Sequence, residues 1–396
     1  MIKTKSKSAV TRKKAKSPSK KVDKSATKVD NFDPSQAISS EFGIFGLPIT
    51  EKEAQVVLLP VPWEVTTSYG VGASLGPQII REASEQIDLF DLEVGSAYEA
   101  GYFMREYPKA LKRKNDQYKK VAQALIKAKS QMKKNYAEQE KWQNQVNSAC
   151  DEMTEWVYQQ SKQILNSGKI LGLVGGDHST PLGAIKAISE KYNQEFGILH
   201  IDAHADLRVA YQGFKQSHAS IMYNVMSSDF KPQQLVQVGI RDFSEEEYNY
   251  STDEKNNIDT FFDLEIKNRQ IYGESFALIA AEVIAQLPQN VYVSFDIDGL
   301  DPALCPGTGT PVAGGLSLNE VFFLFKEIKN QNKKIIGFDV NEVSAGSATN
   351  SEWDGNVGAR VLFKLCGWAV RTHDEKFGKI QSITVETSAE ENDIVM

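Results

Sequence analysis

Short apolar runs alternate with amphipathic stretches along most of the chain. Gln55 to Pro60 (QVVLLP) is the first such run, closed by a proline, and predicts a buried strand. Gly76-Pro77 then opens a helix over Gln78 to Ser84, with the proline in the first turn, where a missing N–H leaves no bond unmade. Further strands are expected at Lys169–Val174, Gly197–Ile201, Leu235–Gly239, Val291–Phe295 and Lys334–Phe338. Helical spacing fills Pro181–Tyr192, Leu318–Lys329 and Ala359–Val370. Strands that are apolar throughout, separated by helices, predict a parallel sheet covered by helices on both faces, a three-layer α/β sandwich. No repeat of about 20–50 residues is visible.

One stretch breaks this rhythm. From about Asp116 to Leu165 there is neither Gly nor Pro, and Lys and Gln dominate. Tyr118, Val121, Leu125, Ala128, Met132 and Tyr136 recur at steps of three and four, which predicts an amphipathic helix. The part after about Ser148 reads as the helix leading into the strand at Lys169, and 105–148 as a charged helical insertion. The insertion is expected to pack on its own domain rather than to serve as an arm for a second subunit or a partner.

Composition and charge set limits on class. With 396 residues, 41% of them hydrophobic and 24% charged, the chain can bury a sizeable core. It has no apolar run long enough to span a membrane and no apolar leader core, so a cytoplasmic protein is expected. Cys150, Cys305 and Cys366 are odd in number and lack zinc-type spacing, which fits a reducing compartment. The net charge of -7 hides an asymmetry: eleven Lys or Arg against two Asp put residues 1–30 at +9 and the remainder at -16. A Lys/Ser-rich segment of this kind predicts a disordered basic tail over 1–35, followed by a single α/β domain over 36–396. The tail reads as solubilising; nonspecific contact with polyanions is the alternative, with no aromatic interleaving to favour nucleic acid.

The chemistry gathers at the C-terminal ends of the expected strands, where open α/β sheets place their sites. Four clusters stand there: Gly175–Thr180 (GGDHST), His200–Arg208 (HIDAHADLR), Ser294–Pro302 (SFDIDGLDP) and Gly337–Ser344 (GFDVNEVS). In extended chain, side chains alternate between faces, so Asp202, His204 and Asp206 project to one side, as do Asp296 and Asp298. Carboxylates packed this closely at the end of an apolar strand repel one another and resist desolvation unless a cation compensates them. With His178 the set has four carboxylates and two imidazoles, too much negative charge for one zinc ion but suited to two bridged divalent ions. A lone D-x-D would be a loop or cap pair and a lone GGDH a turn; their joint occurrence after apolar strands makes metal the economical reading. His200 lies one step deeper in its strand and reads as a core histidine or one that supports a ligand from behind. His373 reads as a surface residue.

These clusters resemble the signatures of the ureohydrolase superfamily, the arginase, agmatinase and formimidoylglutamase group, from about Val56 to Val370. Gly76-Pro77 with Arg81 resembles the early G-P-x-x-x-R element of that family. Asp301-Pro302 followed by Pro306-Gly307-Thr308-Gly309-Thr310-Pro311 resembles its active-site loop. The resemblance implies an arginase-like fold and two divalent ions, Mn²⁺ first and Ni²⁺ as the alternative. The ligands it implies are His178, Asp202, His204, Asp206, Asp296 and Asp298. It makes His218, in Ser217-His218-Ala219-Ser220, the proton-shuttling histidine and Glu342 the carboxylate that holds a guanidinium, with Asp298 assisting. Arg208 and Thr67 join Glu342 and His218 as expected substrate contacts. Homo-trimers or hexamers are also implied.

The residues support a mechanism beside the resemblance. Two ions about 3.5–4 Å apart lower the pKa of a shared water from about 15.7 toward about 7, giving a hydroxide able to attack a planar guanidinium carbon. Glu342 would orient that cation by paired hydrogen bonds, and His218 would protonate the departing amine, with urea as the other product. The substrate tail is less constrained. Arginases resemble D-A-H-x-D-I-N, and Arg208 stands where that Asn would be, which disfavours arginase itself. D-L-R also occurs in formimidoylglutamase-like sequences, but His218 sides with agmatinases, so an agmatinase-like hydrolase of a small cationic guanidino compound is expected. The alternative is a nickel-dependent guanidine hydrolase, with the loop Trp63–Tyr69 and Trp353 closing the pocket. A non-catalytic metal scaffold is disfavoured because every expected ligand is present, and a single-zinc deacetylase would not need the second set.

Overall fold

The structure, a computed structural model, describes residues 42–344 and 352–374 together with Phe32. The basic tail expected over 1–35 lies, apart from Phe32, outside the described residues. The described chain begins β1 (Val56–Val61), α1 (Gly76–Ser84), β2 (Tyr102–Met104), α2 (Lys109–Ser130), α3 (Tyr136–Asn166) and β3 (Ile170–Gly175). It continues through α4 (Leu182–Lys191), β4 (Gly197–Ile201), α5 (Ile221–Met226), β5 (Gln234–Ile240), α6 (Glu245–Ser251) and β6 (Ile258–Phe262). It ends with α7 (Asp263–Ile271), α8 (Phe276–Ala285), β7 (Asn290–Asp296), α9 (Leu318–Asn330), β8 (Lys334–Asn341) and α10 (Glu352–His373).

All eight strands run parallel in one sheet, in the order β2-β1-β3-β8-β7-β4-β5-β6. Every residue of β1, β3 and β4 is buried, because helices cover both faces. Val57, Leu59, Leu171 and Leu173 turn into a core shared with α3, α4 and α5. On the opposite face α1, α9 and α10 pack together, with α10 against β8. The sequence pattern misses β2 and β6. One is three residues long and the other, Ile-Asp-Thr-Phe-Phe, is a half-buried edge strand, so neither carries a continuous apolar run.

Local chemistry sets the helix ends. Ser317 and Glu320 form a reciprocal capping box that starts α9, and Ser244 and Glu247 do the same for α6. Pro77 sits in the first turn of α1 as the spacing predicts.

The long charged stretch differs from its pattern. It is two helices, α2 and α3, folded back on one another, with the reversal at residues 131–135. Met132 adopts φ +51°, and Lys133 N–H bonds back to Ala128 O at 3.0 Å, which terminates α2 without a glycine. Met132 and Tyr136, expected on the buried stripe, are therefore exposed. The stripe that α2 buries is Leu111, Asn115, Lys119, Ala122, Leu125 and Ala128, so two polar residues occupy the inward face.

α3 meets α4 closely enough that one position tolerates only glycine. A Cβ on Gly183 would lie 2.2 Å from Thr154 O and 2.7 Å from Tyr158 N, both backbone atoms of α3. Gly183→Ala must push the two helices apart and is expected to destabilise the protein by roughly 1–3 kcal/mol. The shift should appear in the urea-unfolding midpoint with an unchanged m-value.

Candidate metal centre and substrate pocket

β3, β8, β7 and β4 are consecutive neighbours in the middle of the sheet, and their C-terminal ends carry the four polar clusters. His178 follows β3, Asp202, His204 and Asp206 follow β4, Asp296 closes β7 with Asp298 just beyond, and Glu342 follows β8. Two of these residues sit in the left-handed backbone region, Asp206 at φ +54° and Glu342 at φ +60°. Neither is a glycine, and each conformation is held by its surroundings. Asp206 O accepts the N–H groups of Met222 and Tyr223 at the start of α5, and Glu342 N–H donates to Gly176 O at 2.9 Å.

Two donor sets meet at Asp202. Its Oδ2 lies 3.0 Å from His178 Nδ1, which is also 3.1 Å from Asp296 Oδ2 and 3.6 Å from Asp206 Oδ2. Its Oδ1 lies 3.4 Å from His204 Nδ1, which in turn is 3.2 Å from Asp298 Oδ2. Ligand atoms of His178, His200, Asp202 and Asp206 therefore cluster on one side, and those of Asp202, His204 and Asp298 on the other. One carboxylate offering an oxygen to each set is the geometry of a pair of adjacent cations.

A layer behind the donors fixes their ring orientations. His178 Nε2 is 2.9 Å from Ser294 Oγ, which donates to Asp339 Oδ1 at 3.0 Å, leaving Nδ1 turned to the carboxylates. His200 is fully buried; its Nε2 faces Asp202 Oδ2 at 2.9 Å, while Nδ1 receives the Gln237 amide at 2.9 Å. Asp298 Oδ1 accepts the Ala203 N–H, and Oδ2 accepts the Thr310 hydroxyl at 3.2 Å. Arg241 holds the same loop from below, donating through Nη2 to the carbonyls of Asp298, Leu300 and Val312.

The electrostatics show what the cluster lacks. Asp202, Asp206, Asp296 and Asp298 are buried, and among the described residues none of them pairs with a Lys or Arg. Burial and the neighbouring Asp202 push Asp206 well above the usual carboxylate range, and burial with Asp298 and Asp202 does the same to Asp296. Burial opposes a charge on His204, yet Asp298 and Asp202 override it and push the imidazole up to about 12. The same contest, decided by Asp202 and Asp296, raises His178. Protons thus gather wherever the carboxylates converge, and divalent cations held by these N and O donors would neutralise the same charge without them. The donor set fits two such ions.

A cavity of about 150 Å³ opens beside the second set, lined in part by His204, Asp206, Arg208, His218, Asp242 and Glu247. The His218 ring packs edge-on against Tyr211, and its Nδ1 is buried with no hydrogen-bond partner among the described residues. Burial, reinforced by His204, lowers its pKa to about 4, so the ring is neutral near pH 7. Arg208 lies on the wall, 3.4 Å from Glu247 Oε2, with its guanidinium over the Tyr211 ring. Glu342 is buried; Oε1 accepts the His178 N–H at 3.0 Å, and burial with Asp296 and Asp177 raises its pKa strongly.

Other expected residues lie elsewhere. Thr67 is not among the residues that line this cavity: its hydroxyl donates to Glu64 O and accepts from Lys119 Nζ. Trp63 is fully buried in the core, so it does not close the pocket. Trp353 is half-exposed and donates its indole N–H to Ala303 O at 3.0 Å. Arg81 reaches the carbonyl of Phe42, and the exposed His373 bonds the carbonyl of Ile335. Sequence reasoning assigned no role to Ser294, Asp339 and Gln237. The first two had a signal, since Ser294 shares the parity of Asp296 and Asp298, and Asp339 that of Asn341.

A family model described as the arginase family matches residues 54–367. The chain is 32% identical over 301 residues to an N(1)-aminopropylagmatine ureohydrolase of Thermus thermophilus, spanning 76% of this chain and 86% of that protein. It is 30% identical over 295 residues to an agmatinase of Bacillus anthracis, spanning 74% and 84%. Among solved structures, proclavaminate amidino hydrolase from Streptomyces clavuligerus shares the fold with a TM-score of 0.65 at 23% identity, covering 86% of this chain and all of that one (100%). The agmatine ureohydrolase of Thermoplasma volcanium gives 0.62 at 22% identity, covering 83% and 94%. With the family model and two relatives, each matched over more than four-fifths of its length, agreeing, the chain belongs to the arginase family, as an agmatinase-like ureohydrolase that acts on amidino C–N bonds.

Proposed function

We propose that this protein hydrolyses a linear guanidino compound with an amine tail, of the agmatine or aminopropylagmatine kind, to urea and an amine. The observation that carries this reading is the pair of donor sets sharing Asp202 beside a cavity that holds further carboxylates. His178, Asp202, Asp206 and Asp296 would hold one ion, and Asp202, His204 and Asp298, with Asp296 beside them, the other; Mn²⁺ is the proposed metal, with Ni²⁺ the alternative. When bound, such ions supply a nucleophilic water at neutral pH and Lewis-acid polarisation.

The remaining work falls to side chains of this chain. Glu342 is held by the His178 N–H and needs a cation to carry its own charge, which a guanidinium supplies through charge-assisted hydrogen bonds. Asp298, oriented by Ala203 N–H and Thr310, accepts an N–H of the substrate amidine. Neutral His218, whose Nδ1 has no hydrogen-bond partner among the described residues, takes up a proton and passes it to the departing amine. Asp242 and Glu247 make the outer cavity acidic around the single Arg208, which suits an alkylamine tail and disfavours a carboxylate tail. Of the loop Trp63–Tyr69 that a pocket closed around free guanidine was expected to use, Trp63 sits in the core.

Two broader attributes are proposed, the first from the resemblance and the second from composition. A homo-trimer or hexamer is proposed, with the exposed Leu264, Ile271, Tyr272 and Leu278 as apolar surface available for it. A cytoplasmic site is proposed from cysteine usage, since Cys150, Cys305 and Cys366 are all unpaired. No helix among the described residues is long and apolar enough to cross a membrane.

Urea release should be measured with agmatine, aminopropylagmatine, arginine, guanidinobutyrate and free guanidine, each with Mn²⁺ and with Ni²⁺. Amine-tailed substrates are expected to be turned over fastest; a protein with full metal content that releases urea from none of them would overturn the proposal. His218→Ala is expected to lower kcat by about 10²–10⁴-fold while KM changes by no more than a few-fold. An equal loss in Ser217→Ala would argue against a proton shuttle at His218.

A further inference from the structure

The helical insertion has no part in the chemistry described so far, yet its inward face is built around two polar residues. Asn115 and Lys119 stand one turn apart on α2 and are buried, in a helix whose other charged residues are mostly exposed. Lys119 Nζ pairs with Glu64 Oε1 at 2.8 Å and donates to Thr67 Oγ1 at 3.0 Å. Asn115 Oδ1 accepts the Glu64 N–H at 2.7 Å. The second oxygen of Glu64 accepts the Gly72 N–H at 2.8 Å. The loop 64–72 is thereby tied to α2 at one end and closed on itself at the other.

Taking an ammonium and a carboxylate out of water is costly, and an apolar pair would pack as well, so a buried ion pair is better explained by the conformation it specifies than by stability. What it specifies is in contact with the reaction site. Gly70, at φ +61°, lies so close to the active-site loop that a Cβ there would be 2.4 Å from Gly309 Cα. A Cβ on Gly309 would be 3.6 Å from Tyr69 O and 3.9 Å from Glu342 Oε2. Thr308 donates its hydroxyl to Glu342 O at 3.0 Å, and Ser344 donates to Val71 O at 3.1 Å. The chain of neighbours therefore runs from α2 through loop 64–72 to Gly309, whose neighbour Thr308 bonds the Glu342 carbonyl, with the Glu342 carboxylate next to Gly309.

We propose that Lys119, seconded by Asn115, is a positioning residue that clamps loop 64–72 against Gly309 and fixes the wall beside Glu342, so that the insertion completes the guanidinium pocket. The proposal rests on the reading that Glu342 holds the guanidinium. It makes Thr67 part of the clamp rather than a substrate contact.

The test compares full-length, metal-loaded wild type with Lys119→Met and Lys119→Arg by hydrogen exchange and by urea release from agmatine. In Lys119→Met, the amides of Glu64 and Gly72 are expected to exchange at least about tenfold faster while those of β3 and β4 are unchanged. KM should rise about tenfold with kcat within about twofold, and Lys119→Arg should recover most of both effects. Faster exchange with an unchanged KM would overturn the proposal, because the loop would then be loose without consequence for the pocket. Exchange that quickens throughout the sheet, with kcat falling and KM steady, would also overturn it by showing a merely structural role. A wild type that releases no urea from any guanidino compound would sink the functional reading instead. The clamp would then stand or fall on loop exchange and on whether Lys119→Met weakens agmatine binding by calorimetry about tenfold.

Discussion

The organising constraint of this molecule is a group of buried carboxylates that, among the described residues, no Lys or Arg neutralises. Asp202 lies at its centre and presents one oxygen to His178, Asp296 and Asp206 and the other to His204 and Asp298. Like charges held this closely out of water are tolerable only with protons or metal ions between them. Much of the surrounding architecture is arranged to keep them in place. The four central strands deliver one cluster each, and only because β3, β8, β7 and β4 are neighbours do residues separated by up to 164 positions, as His178 and Glu342 are, touch through a hydrogen bond.

A second tier of contacts turns this proximity into orientation. Ser294 and Asp339 fix the His178 ring, Gln237 fixes His200 behind Asp202, and Arg241 ties the backbone of Asp298 to that of Val312. The strained backbone at Asp206 and Glu342 belongs to the same arrangement, since both residues turn a side chain inward just past a strand end. In the proposed clamp, the wall beside Glu342 depends on an element remote from the chemistry, the insertion helix α2, through Lys119 and Asn115.

Much of this was legible in the chain, for identifiable reasons. Fully buried parallel strands leave continuous apolar runs, so the central strands and the sheet class could be read directly, as could period-two spacing in Asp202-x-His204-x-Asp206 and Asp296-x-Asp298. What could not be read depends on three-dimensional order: the adjacency of the four strands and the splitting of Asp202 between two donor sets. Short or half-exposed edges such as Tyr102–Met104 and Ile258–Phe262 carry too weak a pattern to be seen. The break at Met132 was hidden because a non-glycine residue adopts the left-handed turn. Asn115 and Lys119 were invisible for a complementary reason: a polar residue in a charged helix reads as solvent-facing until the buried Glu64 appears opposite it.

Metal counting decides whether Asp202 serves two cation sites at once. Protein stripped of metal and reconstituted with Mn²⁺ should bind two ions per chain, and Asp202→Ala, in a preparation that keeps the wild-type circular dichroism, should lose both. His204→Ala should lose one and keep the other. A wild type that saturates at a single ion, or an Asp202→Ala variant that retains one at wild-type affinity, would show that Asp202 does not join two sites.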